Sequence, residues 1–229
     1  MKKSFLLSIG VLSFIFVSAQ NPIKEKPDYK EIESEITNKD SKFYYPKLME
    51  RYNAFDTTLS TEEYKYLYYG VLFQRSYSPY GKSIYTDTLN NLLKDKQSFS
   101  TSDYNNIIKY ETLILKEFPF NLRNLLMLAF AYEENGIVDS LMFVNFKLKN
   151  VAKTILSTGD GKTESTAWHV ISIEHEYDLL SLLGYKFGGS QSLTKKGCDY
   201  LTVQKNDENI AGFYFDVNMI LKAEAKLYN

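Results

Sequence analysis

The chain has 229 residues, with 27 Lys and Arg against 28 Asp and Glu, a net charge of −1. That balance excludes a strongly basic nucleic-acid binder on bulk electrostatics. Apolar residues at 44% and charged residues at 24% exclude disorder throughout. The length accommodates one or two domains with a real core, and 19 Tyr and 15 Phe are the unusual feature of the composition.

Residues 1–19 read as a secretory signal peptide. Lys2 and Lys3 precede a largely apolar run of 13 residues, Phe5 to Val17, and Val17-Ser18-Ala19 offers a cleavage site. The run is shorter than the ~20 residues that span a bilayer, and no later segment reads as a transmembrane span. Cleavage removes two lysines and no acid, which takes the net charge to −3. No cysteine stands directly at the junction, so no lipid anchor is expected there. The exported chain is expected in the periplasm or outside the cell. Its lone cysteine, Cys198, has no partner for an internal disulfide and reads as a small buried residue on a strand.

Tyr29, Ile32 and Ile36 predict a short helix. Pro46 fits the first turn of a second helix, with Leu48, Tyr52 and Phe55 inward. Ser60 and Glu63 form a capping box, with Leu59 stapled onto Tyr64. Behind them Tyr64, Leu67, Tyr68, Val71 and Leu72 give a one-sided helix. Ser76 to Gly81 is a turn, and Leu89, Leu92 and Leu93 mark another helix. The next opens near Ser102-Asp103 and uses Tyr104, Ile107, Ile108, Leu115 and Phe118. Pro119 breaks it. Asn121 caps a helix carrying Leu125, Leu128, Ala129 and Tyr132, which Gly136 terminates. Asp139 opens a last helix with Leu141, Val144, Leu148, Val151 and Ile155 in one stripe. The spacing from Leu125 to Gly136 resembles the first helix of a tetratricopeptide repeat, and the starts near Ser102 and Asp139 lie roughly one ~34-residue repeat apart. Leu141 stands where that family usually has a small residue.

Ser157 to Ser165 is polar and glycine-bearing, and the composition shifts there. Ala167 to Ile173 alternates as a strand, Tyr177 to Gly184 reads as a helix, Lys186 to Gly197 as a loop, and Cys198 to Gln204 and Ile210 to Ile220 as strands. The expected fold class is therefore α+β. A helical, repeat-like region over 20–157 is followed by a β-α-β-β unit over 158–229, whose small antiparallel sheet packs on the helices.

Three segments together resemble a known family: Tyr44-Tyr45-Pro46-Lys47-Leu48-Met49, Glu63 to Gly70, and His175-Glu176-Tyr177-Asp178-Leu179-Leu180. They are similar to domain-of-unknown-function family 4919, a set of secreted Bacteroidota proteins. The resemblance covers most of the exported chain. It implies an exported protein of about this length, and no activity or catalytic residue.

Gly161-Lys162-Thr163 lacks the earlier glycine and the leading strand of a phosphate loop, with Leu156 where that glycine belongs. Gly188-Gly189-Ser190-Gln191-Ser192 lacks the closing glycine of a nucleophile elbow. The two histidines, His169 and His175, cannot share one metal on a straight strand or a helix unless a turn folds the segment back, so neither a metal site nor a cofactor is expected. His175, Glu176 and Asp178 sit where a strand should become a helix. They are the weak catalytic candidates, as the acid–base set of a hydrolase-type enzyme; the plainer reading is a helix entry with a hydrogen-bonded His175. Tyr64, Tyr66, Tyr68 and Tyr69 cannot all face one core, so Tyr66 and Tyr69, with Trp168, are the candidate binding residues. The favoured expectation is a non-enzymatic envelope protein that grips a protein or peptide partner through its helical face.

Overall fold

The computed structural model describes residues 25–226. The signal peptide expected over 1–19 lies outside the described residues. The helical part runs α1 (Tyr29–Thr37), α2 (Tyr45–Asn53), α3 (Thr61–Gly70), α4 (Ile84–Leu93), α5 (Thr101–Glu117), α6 (Leu122–Glu134) and α7 (Val138–Leu156). After it come β1 (Trp168–His169), α8 (Glu174–Leu182), β2 (Phe187–Leu193), β3 (Cys198–Val203), β4 (Gly212–Asp216) and α9 (Asn218–Ala225). The class is α+β.

The helix starts follow capping chemistry. Ser60 accepts from the N–H of Glu63 at 3.1 Å while the Glu63 carboxylate accepts from the N–H of Ser60 at 2.7 Å. Ser100 and Asp103 form a second capping box, which starts α5 at Thr101. Asn121 accepts from the N–H of Asn124 to open α6, and Gly136, at φ +67°, closes it. Helices α5, α6 and α7 then pack on one another in chain order.

The third helix departs from the one-sided pattern. Tyr64, Tyr66, Leu67, Tyr68, Tyr69 and Gly70 are all buried, as in a helix surrounded on every side. Phe43 stacks flat on Tyr66 at 3.7 Å, and the Tyr66 hydroxyl donates to Glu31. Tyr29 meets Tyr69 edge-on at 5.9 Å. The expected exposure of Tyr66 and Tyr69 is therefore corrected: α1 and the residues just before α2 cover them. Phe55 is corrected in the opposite sense. It lies beyond the end of α2 and is exposed.

The four strands among the described residues form one sheet in the order β1-β4-β3-β2. It is mixed rather than wholly antiparallel, because β1 pairs with β4 in parallel. Three expected boundaries move. The first strand stops at His169, and α8 begins at Glu174. Residues 187–193, expected in a loop, are an edge strand with a register irregularity between Phe187 and Gln191. The long last strand divides, because Asp216 accepts from the N–H of Asn218 and α9 starts there. One continuous core joins both parts, from Ile32 and Leu48 through Leu125 and Ile155 to Phe215 and Ile220.

Ser60→Ala should lower unfolding stability by about 1 kcal/mol, read by urea denaturation. An unchanged midpoint would contradict the role assigned to this cap.

Candidate functional site: a cleft beside the α8 acid–base residues

Residues 169–175 leave the sheet, turn, and enter α8. Irregular buried backbone needs partners for its polar groups, and tyrosines supply several of them. The Tyr69 hydroxyl donates to the His169 carbonyl at 3.1 Å, and that of Tyr77 donates to the Ile171 carbonyl at 2.8 Å. Tyr68 has its hydroxyl 2.7 Å from His175 Nδ1 and accepts from the N–H of Ile171 at 3.4 Å. His175 also bonds the Phe120 backbone, and burial pushes its imidazole down to about 3. The ring is neutral at physiological pH, and the Tyr68 hydroxyl, which accepts from Ile171, directs its own proton to Nδ1.

Glu176, one residue on, turns about 100° around the helix and meets the sheet. It is fully buried. Gln191 donates one N–H to Asp199 Oδ2 at 2.6 Å and approaches Glu176 Oε2 at 3.3 Å, while Tyr177 donates to the Gln191 side-chain amide oxygen. Burial first, and the adjacent Asp199 second, raise Glu176 to about 9. The protonated carboxyl donates to Asp199, and no donor reaches its Oε1.

Asp178 faces α6. Arg123 grips Oδ1 alone, from Nε at 3.0 Å and Nη2 at 2.9 Å, and Oδ2 is buried without a partner. Burial raises the Asp178 carboxyl, against the pull of Arg123. The three expected catalytic candidates thus share a helix and do not converge. His175 faces Tyr68, Glu176 faces Asp199, and Asp178 faces Arg123.

The other candidates are equally committed. Trp168 is buried against Phe213 at 4.9 Å, and its indole N–H donates to the Gly159 carbonyl. The Gly161-Lys162-Thr163 segment folds over that ring, with Gly161 at φ +66° and no room for a Cβ against the indole. His169 Nδ1 lies 3.1 Å from the Tyr29 hydroxyl, and burial lowers its pKa. Cys198 is buried on β3, and burial pushes its thiol up to about 11. Among the described residues no group of three or more His, Cys, Asp or Glu is placed to hold a metal ion.

A cleft of about 460 Å³ opens beside this set, between the 76–83 turn, α4, α5, the start of α6 and residues 171–175. Leu89, Ile114, Met127 and Ile171 give it apolar walls. Glu111 reaches it from α5 with 4% exposure. Asn124 donates to its Oε2 at 2.7 Å. Burial raises this carboxyl to about 7. Sequence reasoning passed over Glu111, although it stands at apolar spacing, four residues after Ile107 and three before Ile114. A carboxylate inside an apolar stripe was the available signal.

The molecule is thus an α+β protein whose acid–base residues on α8 serve its packing, with an open, carboxyl-bearing cleft alongside. Residues 30–226 match the model of a family described as a domain of unknown function, DUF4919, and the chain belongs to that family. No curated protein and no solved structure matches it. Among the described residues no helix is long and apolar enough to cross a membrane.

A carboxyl raised from the usual 4.5 to about 9 binds its proton more tightly in the folded state, so its contribution is complete below pH ~4.5 and is lost as pH rises toward 9. The slope approaches about 1.4 kcal/mol per pH unit. The melting temperature should therefore fall from pH 7 to pH 8.5, and Glu176→Gln should flatten that limb. An unchanged slope in the variant would contradict a protonated Glu176.

Proposed function

We propose that this is an exported envelope protein, without chemistry of its own, that holds a segment of a protein or peptide partner in the cleft between α4, α5, the start of α6 and residues 171–175. One observation carries the reading: a buried carboxyl, Glu111, lines an open cleft whose walls mix apolar residues such as Leu89, Ile114 and Met127 with polar and charged ones. The cleft volume falls within the ~300–1,000 Å³ usual for ligand sites. A buried carboxyl favours a partner that brings it a hydrogen-bond donor or a positive charge. The segment therefore presents a lysine or arginine side chain to Glu111 and apolar side chains to Leu89, Ile114 and Met127.

The signal sequence supports export, and the near-neutral charge argues against nucleic acid. The hydrolase alternative finds less support. His175 is neutral and bonded on both sides, and Glu176 and Asp178 are occupied by Asp199 and Arg123. The partner face is also no longer that of Tyr66, Tyr69 and Trp168, which the fold uses internally.

A photo-cross-linking side chain at Asn90, on the cleft rim, should give one dominant adduct in the cells that produce the full chain. The same group at Lys205, on the far loop, should not, and Glu111→Gln should weaken the Asn90 adduct about tenfold. Equal adducts from both positions, or none from Asn90, would overturn the reading.

A further inference from the structure

A different face of α5 lines a second cavity, of about 500 Å³, closed by α2, α6 and α7. Its walls include Leu115, Leu128 and Val144, and the charged residues on them are Lys116 and Lys147, with no carboxylate. Lys147 Nζ sits 4.0 Å from the Tyr52 ring centre and 4.4 Å from that of Phe55. These ring faces attract its charge but accept none of its three hydrogen bonds in the usual way. Among the described residues Lys147 has no carboxylate partner, and burial alone pulls its ammonium down to about 8.

The rings are held in place. Tyr52 donates its hydroxyl to the Pro119 carbonyl at 2.7 Å. Phe55 adopts φ +58°, a region that bulky side chains rarely enter. It stacks on Phe143 at 4.9 Å while remaining 45% exposed. A strained aromatic backbone at the mouth of a cavity is a local cost of the kind that gathers at ligand sites.

We infer that this cavity is a binding site for a small amphipathic carboxylate, in its simplest form an alkanoate, whose head group pairs with Lys147 and whose chain lies along Leu115, Leu128 and Val144. The carboxylate supplies the acceptors that the ammonium lacks, while the rings keep that ammonium in place when the site is empty. Lys116 adds a second positive charge at the wall. The cavity is distinct from the cleft of Glu111, and the opposite charge of its lining selects a different ligand.

Decanoate is the probe, titrated calorimetrically into the full chain at pH 7, with decanol as the neutral isostere. The expected result is one saturable site, with decanol about tenfold weaker. Lys147→Met should weaken decanoate about tenfold, and Lys147→Arg should retain it. Raising the pH to 9.5, where Lys147 has lost its proton, should weaken decanoate and leave decanol unchanged. This pH arm decides the matter even where the methionine variant fails to fold. Equal binding of decanol, an unchanged affinity in folded Lys147→Met, or no saturable site would each overturn the assignment. None of these outcomes bears on the cross-link at Asn90.

Discussion

The structure depends on one constraint: between β1 and α8 the chain runs through residues 170–173 without regular secondary structure, flanked by the buried His169 and His175, so polar groups there must be satisfied from elsewhere. Helix α3 and the turn that follows it meet that need with the hydroxyls of Tyr68, Tyr69 and Tyr77. An unmatched buried amide or carbonyl costs about 1–3 kcal/mol, so three such pairings are large beside the net stability of a domain. The tyrosines of α3 and the turn after it have this cause. A helix that is buried on all sides and must still deliver hydrogen bonds across the core calls for tyrosine, apolar along its body and polar at its tip.

From that clamp the functional geometry follows. Tyr68 and the Phe120 backbone hold His175, and His175 anchors the first turn of α8. The 171–175 segment becomes one wall of the cleft, with Glu111 and Asn124 brought in by α5 and α6. The same helix sends Glu176 toward Asp199 and Asp178 toward Arg123. An acid–base triplet in sequence becomes three separate couplings in space, each tying α8 to a different neighbour. Buried polar groups whose hydrogen bonds are met this way help to specify a unique packing.

Local chemistry was legible in the sequence, and long-range chemistry was not. The capping pair Ser60 and Glu63, the break at Pro119, the cap at Asn121 and the terminator Gly136 are decided by neighbours within a few residues, and the structure has them where the sequence places them. The family resemblance, read from three short segments, agrees with the family match over 30–226. The edge strand Phe187–Leu193 was unreadable, because its mostly exposed side chains leave no apolar alternation and hydrogen bonds to β3 alone define it. The exposure of Tyr66 and Tyr69 was misjudged, since which faces of α3 are covered depends on Phe43 and Tyr29, far away in sequence. Glu111 and Lys147 were missed for a simpler reason. Each is a charged residue at apolar spacing, and an apolar-stripe reading skips the residues that interrupt it.

At the centre of this geometry His175 is a neutral acceptor held by the Tyr68 hydroxyl. The most direct measurement is the nitrogen NMR spectrum of the histidine ring, followed from pH 8 to pH 5. The account predicts a single neutral tautomer for His175 throughout, with its proton on Nε2, and a loss of that fixed signal in Tyr68→Phe. A His175 ring that titrates near 6.5, the ordinary histidine value, would contradict it and return the acid–base reading of α8 to consideration.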